Sequence, residues 1–442
     1  MIDRLSRWFE FAARGATWRG ELTGGATTFL TMAYIIFVQP AVLSQAGMDF
    51  GAVMAATCIS AAVATIIMAL AARYPIALAP GMGENFFFVY GAVLASGLHW
   101  TDALSAAFYA GVIFVILSVV RARDAILNAI PDSLKSATGM GVGLLIAFLG
   151  LMNAGIVVGG SGAPVAMGDL SQTPTLVAIA GLLITVLLMV RHVPGSIFWG
   201  LLATGFVAWL AGLVTFNGVV DLPPSLAPTF GQLNWLPTLS AEFIAIVFVF
   251  LFMDVVDTVG TLSAVGKQGK FFVEGKLPRA TGAFLADSVG TVVGAVAGTS
   301  TVTCFVESAS GIAVGARTGV AALVTGAGFL IALFFLPVVQ AIAGGVTINS
   351  GAILQPVTAP ALIIVGALMT QLAGEIPWTD LTESLPAFFI IIGIPLTLSI
   401  ADGLSLGFIL YPIVKLATGR HRQVHPAMYV LATAAVARYI LT

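Results

Sequence analysis

Six acidic side chains interrupt stretches of sequence that are otherwise almost entirely apolar. Asp254 and Asp257 are three residues apart, so an α-helix places both carboxyl groups on one face, about one turn apart. Two neighbouring carboxylates in a medium of low dielectric repel each other, and we therefore expect one of this pair to hold a proton near neutral pH. Such a pair can exchange protons and can accept hydrogen bonds from the N–H groups of a polar solute. The six residues are Glu84, Asp254, Asp257, Asp287, Glu307 and Asp402.

Groups that would neutralise or assist these carboxyl groups are missing from the same stretches. No lysine or arginine lies at the centre of an apolar stretch, and the four histidines occur in loops or at the ends of such stretches. No spacing typical of a metal site or of a nucleophile–base pair is present, so the sequence predicts no metal, no cofactor and no enzymatic activity. The two cysteines, Cys58 and Cys304, are expected to act as small apolar side chains.

Composition and the distribution of positive charge indicate a multi-pass membrane protein. Hydrophobic residues make up 59% of the chain and charged residues 9%, whereas a soluble domain carries about a quarter charged residues. Lysine and arginine occur in clusters separated by pairs of apolar segments, and cytoplasmic loops collect these residues. The pattern therefore predicts a protein of the cell (inner) membrane with both termini cytoplasmic, and no nucleic-acid partner. The clusters are Arg4, Arg7, Arg14 and Arg19; Arg73; Arg121, Arg123 and Lys135; Arg191; Lys267, Lys270, Lys276 and Arg279; Arg317; and Lys415, Arg420, Arg422 and Arg438.

The apolar segments number fourteen when each is given the length of about 20 residues that a span needs. The sequence thus predicts an all-α polytopic protein built from two inverted repeats of seven segments. Segments 1–7 are placed in residues 24–215 and segments 8–14 in residues 240–417, with an outer loop at 216–239 between them. Residues 1–23 are predicted to form an amphipathic segment at the membrane surface, and residues 418–442 a C-terminal interfacial helix.

Segments 3 and 10 occupy matching positions in the two repeats, and both contain a predicted break in the helix. Segment 3 opens with the residues LAPGMGEN at 78–85, and segment 10 opens with GTSTVTCFVE at 298–307. Paired short or interrupted segments of this kind point to the binding site of a transporter. Irregular backbone at membrane depth is stable only where it is buried in protein or lines a cavity. We therefore expect a polar solute to bind between these two breaks.

The acidic residues differ in their expected roles. A charged aspartate at the centre of a membrane helix costs about 2.5–3.5 kcal/mol, so Glu84, Asp257 and Glu307 are expected to face a cavity. Asp287 is expected to hydrogen-bond neighbouring helices, and Asp402 to cap the start of its helix.

Several stretches of the sequence carry a family pattern, namely TFLTMAYIIFV at 28–38, APGMG at 79–83, FMDVVDTVGT at 252–261, residues 298–311 with 316–319, and SIADG at 399–403. In these stretches the chain resembles the AzgA-like adenine/guanine/hypoxanthine permeases of the nucleobase–ascorbate transporter superfamily, and the resemblance covers nearly the whole chain. It implies a core domain and a gate domain, with a short extended piece in each of segments 3 and 10. It also implies import of purine nucleobases by proton symport, with alternating access between the two domains.

The resemblance further implies which residues bind the base. An acid-x-x-Gly pattern in segment 8 holds the base in the wider superfamily, and Asp257 matches its acid; Glu307 matches a second contact in segment 10. Glu84 departs from the family pattern, in which an apolar residue usually follows Gly83. Aromatic rings after the break can stack on a flat base. The predicted substrate-binding residues are Asp257, Glu307, Asn85, Phe86, Phe87, Thr258, Thr261 and Ser308, and the predicted proton-coupling residues are Asp254, Asp257, Glu307 and Glu84.

Two alternative functions stay open at this point. A xanthine or uracil symporter would use the same kind of site. An anion transporter of the same fold is less favoured, because its site would present cations or open helix N-termini to the ligand. The expected partners are a purine nucleobase, protons and membrane lipids, and a homodimer is left open.

Overall fold

The structure, a computed structural model, describes residues 2–120, 130–160, 162–273, 276–348 and 353–441. Arg121 and Arg123, which belong to the clusters predicted to be cytoplasmic, lie outside these residues, as do Met1 and Thr442 of the predicted terminal segments.

Apolar helices fill both regions in which spans are predicted. Within the described residues, nine helices are long and apolar enough to cross a membrane, and four shorter apolar helices accompany them. A further segment consists of a strand and a very short helix. The fold class predicted from the sequence, with fourteen segments, is thus confirmed. Segments 1 to 14 are Trp18–Ala46, Phe50–Ala72, Leu78–Pro80 with Met82–Ala95, Trp100–Val119, Asp132–Asn153, Thr173–Val190, Ser196–Leu210, Ala241–Gln268, Ala280–Ala297, Val302–Cys304 with Ser308–Ala313, Gly319–Ala343, Ala359–Glu375, Leu381–Thr397 and Ile400–Ala417.

Segments 3 and 10 each begin with a three-residue strand, and the two strands pair with each other. The pairing is antiparallel and places Leu78 opposite Cys304 and Pro80 opposite Val302. Because each strand supplies hydrogen-bonding groups to the other, the backbone is satisfied at a depth where water is absent. Short helices then lead away from the strands, Met82–Phe86 in segment 3 and Ser308–Ala313 in segment 10. This arrangement confirms the breaks predicted in the two matching segments.

The helices pack into a core domain and a gate domain. In the core, segment 9 packs against segments 2 and 4, and segment 11 packs against segments 1 and 2. In the gate, segment 5 packs against segments 12 and 13, segment 14 packs against segment 13, and segment 6 packs against segments 7 and 12. The paired strands belong to the core, where they contact segments 2, 8 and 9.

Some local features differ from the sequence prediction. The capping role predicted for Asp402 is wrong, because Ser399 is the N-cap and its side chain accepts from the amide of Asp402 at 3.2 Å. An N-cap residue precedes the first helical turn, and its side-chain oxygen accepts from the free amides of that turn. Asp402 cannot take this role, because it is the third residue of the helix Ile400–Ala417. Two small antiparallel hairpins were not predicted; they pair Val157–Gly159 with Val165–Met167 and Val346–Thr347 with Ile353–Leu354.

The N-terminal segment forms two short helices, Ile2–Trp8 and Phe11–Arg14, and is fastened to the core domain. Glu10 lies between them and forms ion pairs with Arg14, Arg73 and Arg279. Partial burial acts to raise the pKa of Glu10, but Arg279 and the other two arginines outweigh it and hold this pKa below its usual value. The segment is therefore tied to the ends of segments 2 and 9. At the other end of the chain, Pro426–Leu441 forms the C-terminal helix.

A buried carboxylate joins segment 1 to segment 11. Oε1 of Glu21 accepts from the amides of Arg317 at 2.8 Å and Thr318 at 3.0 Å, and Oε2 accepts from the amide of Ala321 at 3.0 Å. These amides belong to the start of segment 11, where the helix dipole favours a negative charge.

Glu21→Gln is expected to lower the free energy of unfolding by about 1.5–3 kcal/mol, because an amide cannot supply two charged acceptors. Thermal unfolding of the purified protein in detergent measures this change. Arg19→Gln is the control, because it removes an exposed charge from the same helix. Its melting temperature should equal that of the wild type. Equal melting temperatures for Glu21→Gln and the wild type would contradict the capping role.

Candidate functional site

One face of segment 8 is accessible from the middle of the helix to its end. Asp257, Gly260, Ala264 and Lys267 are exposed and recur every three or four residues, so they form a single stripe. A Cβ added at Gly260 would meet no neighbouring atom within 4 Å. The residues from Leu251 to Val255 are all buried. Asp257 lies where this exposed stripe meets the buried part of the helix. Because a carboxyl group is unfavourable against lipid, we infer that the stripe lines an open crevice along segment 8, with Asp257 at its inner end.

Glu307 lies beside this inner end, at the turn between the strand and the short helix of segment 10. The hydroxyl of Tyr34 donates to Oε1 of Glu307 at 2.7 Å. Tyr34 is buried at the point where segment 1 divides into the helices Trp18–Met32 and Ile35–Leu43. Glu307 is only half-buried, and Asp257 is close enough for the two charges to interact. Segments 1, 8 and 10 thus bring two carboxyl groups and a phenol to one place.

A polar network lies behind Asp257, inside the core. The hydroxyl of Thr258 donates to Oδ2 of Asp287 on segment 9 and lies 3.0 Å from the hydroxyl of Thr303. Asp254 is also buried, and its Oδ2 accepts from Thr291 at 3.0 Å. The prediction that Asp287 bonds neighbouring helices is confirmed. The predicted substrate residue Thr258 faces Asp287 and is fully buried.

A second polar network connects the breaks of segments 1, 3 and 10. Nδ2 of Asn85 donates to Oε1 of Gln39 at 2.7 Å, and Nε2 of Gln39 donates to Thr299 at 2.8 Å and to Ser300 at 2.9 Å. Oδ1 of Asn85 has no partner among the described residues. Asn85 is among the residues predicted from the sequence, whereas Gln39 and Tyr34 are not, although a glutamine within an apolar helix is itself a signal of a polar site.

The other predicted site residues are buried around these networks. Oγ of Ser308 accepts from the amide of Ala77 at 3.0 Å, which ties the short helix of segment 10 to segment 3. The rings of Phe86 and Phe87 are buried; Phe86 stacks on Tyr90 with ring centroids 5.9 Å apart, and Phe87 meets Phe250 edge to face. The structure thus presents Asp257 and Glu307 to the crevice and keeps these side chains behind them.

Thr261 and Glu84 are buried as well. Glu84 folds back over the break in segment 3, because a Cβ added at Gly81 would lie 2.0 Å from its Oε2. That oxygen receives no hydrogen bond from a described residue. In the part of the chain that the structure describes, no group of three His, Cys, Asp or Glu side chains could hold a metal ion.

Fourteen segments, two of which carry short strands that pair at the centre beside accessible carboxyl groups, define a multi-pass membrane transporter. Residues 19–437 match a family described as the Permease family, and the chain belongs to this family. The chain is 45% identical to the guanine/hypoxanthine permease PbuG of Bacillus subtilis, covering 96% of this chain and 97% of that protein. It is 38% identical to the adenine permease AdeP of Escherichia coli, covering 97% and 94%. The predicted resemblance to AzgA-like permeases is confirmed, and the protein is a permease rather than an enzyme.

The transmembrane domain of a cyanobacterial bicarbonate transporter, BicA, is a structural neighbour. The TM-score is 0.65 at 16% sequence identity, and the match covers 87% of this chain and 97% of that chain. This likeness concerns the fold alone.

Proposed function

We propose that the protein imports purine nucleobases together with protons, and that the base binds between Asp257 and Glu307. The observation that carries this proposal is the meeting of these two carboxyl groups at the inner end of the crevice. A purine edge offers N–H donors, which ionised carboxylates accept, and ring nitrogens, to which a protonated carboxyl can donate. The names of the similar permeases of Bacillus subtilis and Escherichia coli, which specify guanine, hypoxanthine and adenine, support this substrate class.

The orientation of the protein follows from the same crevice. Lys267 ends the exposed stripe and belongs to a cluster of positive charge predicted to be cytoplasmic. The crevice therefore opens toward the cytoplasm, with both termini on that side of the inner membrane. Movement of the gate domain against the core domain, which carries the broken segments, would then expose the site to the opposite side, as alternating access requires.

Anion transport is the second candidate, because a structural neighbour is a bicarbonate transporter. Within the described residues, none of the ion pairs involves Asp257 or Glu307, so an anion would approach two uncompensated acids. Coulomb repulsion disfavours that binding. The site geometry therefore supports a neutral solute with N–H groups.

Uptake of labelled hypoxanthine into proteoliposomes is expected to rise when the outside is made acidic and to fall when the gradient is reversed. The physical reason is that protonation of the carboxyl groups accompanies binding on the acidic side. An uncoupler that abolishes the gradient is the control. A requirement for sodium, with no response to either gradient, would refute proton coupling.

Competition experiments separate purines from the xanthine and uracil alternative. Unlabelled adenine, guanine or hypoxanthine is expected to suppress the uptake, and uracil is expected to leave it unchanged. Stronger competition by xanthine or uracil would assign the site to those bases instead.

A further inference from the structure

A second pair of carboxyl groups lies deeper in the core domain than the proposed substrate site. Asp254 of segment 8 and Asp287 of segment 9 are fully buried, and their carboxyl groups are close enough to hydrogen-bond each other. One oxygen of each is already engaged by the protein. Oδ2 of Asp254 accepts from the hydroxyl of Thr291 at 3.0 Å. Oδ2 of Asp287 accepts from the hydroxyl of Thr258 and from the amide of Cys304, the latter at 3.2 Å.

The other oxygen of each carboxyl group is unsatisfied by the protein. Oδ1 of Asp254 and Oδ1 of Asp287 receive no hydrogen bond from any residue that the structure describes. Two buried carboxylates so close together repel each other, and burial removes the hydration that would stabilise each ion. A single proton held between the two carboxyl groups removes one charge and provides a hydrogen bond for the free oxygens.

Among the residues that the structure describes, no positive side chain is near enough to this pair to compete with a proton. The other ionisable groups that face it are Asp257 on segment 8, Glu84 on segment 3 and Cys304 on segment 10. Segment 2, which packs against segment 9, carries no charged side chain. Asp102 of segment 4 is engaged at the far end of its helix by Asn234.

Two hydroxyl groups connect the pair to the proposed substrate site. Thr303 lies beside Asp257, and its hydroxyl lies 3.0 Å from that of Thr258. The hydroxyl of Thr258 in turn donates to Asp287. A hydroxyl can accept one proton while it donates another. Hydrogen bonds therefore connect Thr303 through Thr258 to Asp287, and Asp257 lies at the outer end of this chain.

We propose that Asp254 and Asp287 form a proton-binding site that exchanges its proton with Asp257 through Thr303 and Thr258. This inference rests on the proposed proton symport and assigns a place where the proton is held apart from the substrate. In the transfer, the O–H bond of protonated Asp257 breaks and a new O–H bond forms on Asp287, while each hydroxyl passes on one proton. The pair goes from one proton to two, and Asp257 becomes an anion that accepts from the base.

Asp287→Asn tests this site, because an amide keeps the hydrogen bonds to Asp254 and Thr258 but cannot take up or release a proton. Infrared spectroscopy of the purified protein detects protonated carboxyl groups directly. We expect the variant to lose part of the carboxylic-acid band. Its uptake of hypoxanthine into proteoliposomes should fall to the level seen without a pH gradient, while exchange of labelled for unlabelled base continues.

Ser288→Ala is the matched control on the same helix. Ser288 is buried beside Asp287, but its hydroxyl donates at 2.8 Å to the carbonyl of Phe284 within its own helix. This variant should keep both the infrared band and the response to the gradient.

Thr303→Val and Thr303→Ser test the connection independently of Asp287. Valine removes the hydroxyl and should slow gradient-driven uptake, whereas serine restores the hydroxyl and should recover it. Equal uptake by the two variants would overturn the inference, even where Asp287→Asn does not fold.

The outcomes separate this inference from the proposed function. If Asp287→Asn responds to the pH gradient as the wild type does and its infrared band is unchanged, the inference is overturned. Proton symport is not affected by that result. A wild-type protein that ignores the gradient refutes proton symport, and the infrared band still decides whether the pair holds a proton.

Discussion

Asp257→Asn and Glu307→Gln are each expected to weaken hypoxanthine binding by about ten- to a hundredfold. Each variant loses one charge-assisted hydrogen bond to the base, worth roughly 1.5–3 kcal/mol, and about 1.4 kcal/mol corresponds to a factor of ten in affinity. The two amides keep the size of the acids, so the fold should be retained. Glu307→Gln also keeps an oxygen that accepts from Tyr34. Isothermal titration calorimetry of the purified variants measures the loss.

Glu242→Gln is the matched control for these variants. It removes a carboxylate from the same helix as Asp257, but in the first turn of segment 8, far from the crevice. Its affinity should equal that of the wild type. Near-normal binding by both Asp257→Asn and Glu307→Gln would place the base elsewhere in the protein.

The breaks in segments 3 and 10 could be predicted because their cause is local. Pro80 and the neighbouring glycines interrupt one helix, and a run of threonine, serine and valine interrupts the other. Their matching positions in two repeats then indicate that they meet. The antiparallel pairing of Leu78–Pro80 with Val302–Cys304 shows that the two breaks do meet.

Which side chains face the crevice could not be predicted from spacing. Successive residues of a helix point about 100° apart, so Asp257 and Thr258 must face different surroundings. Asp254 and Asp257 share a face by spacing, yet Asp257 is exposed and Asp254 is buried against segment 9. The inferred crevice ends between them, where the short helix of segment 10 packs against segment 8.

Contacts between distant segments were missed for a similar reason. Gln39 bonds Asn85 and Thr299, and Tyr34 bonds Glu307, across 46 to 273 residues of sequence. A single sequence shows that these side chains are polar but not which segment each one meets. The buried position of Phe86 and Phe87 likewise depends on partners such as Phe250.

Gly311→Val is expected to destabilise the protein and abolish binding, because segments 1 and 10 cross here in backbone contact. A Cβ at Gly311 would lie 2.1 Å from Oγ1 of Thr28 and 2.4 Å from the carbonyl oxygen of Gly24. The backbone atom cannot rotate away, so the short helix that follows Glu307 must shift from segment 1. We expect a loss of at least the roughly 1–3 kcal/mol that overpacking costs. The shift also separates Glu307 from Tyr34, which accounts for the lost binding.

The graded series Gly311→Ala and Gly311→Val, measured by thermal unfolding and calorimetry, tests this contact, with Gly260→Ala as the control for stability. Gly260 is also a helical glycine, but a Cβ there meets nothing within 4 Å. Alanine in a helix is favoured over glycine by roughly 0.5–1 kcal/mol, so Gly260→Ala should unfold at or above the wild-type temperature. The melting temperature is therefore expected to fall for the substitutions at Gly311 and to stay or rise for Gly260→Ala. Normal melting and normal affinity in Gly311→Val would show that segment 10 does not depend on this crossing to position Glu307.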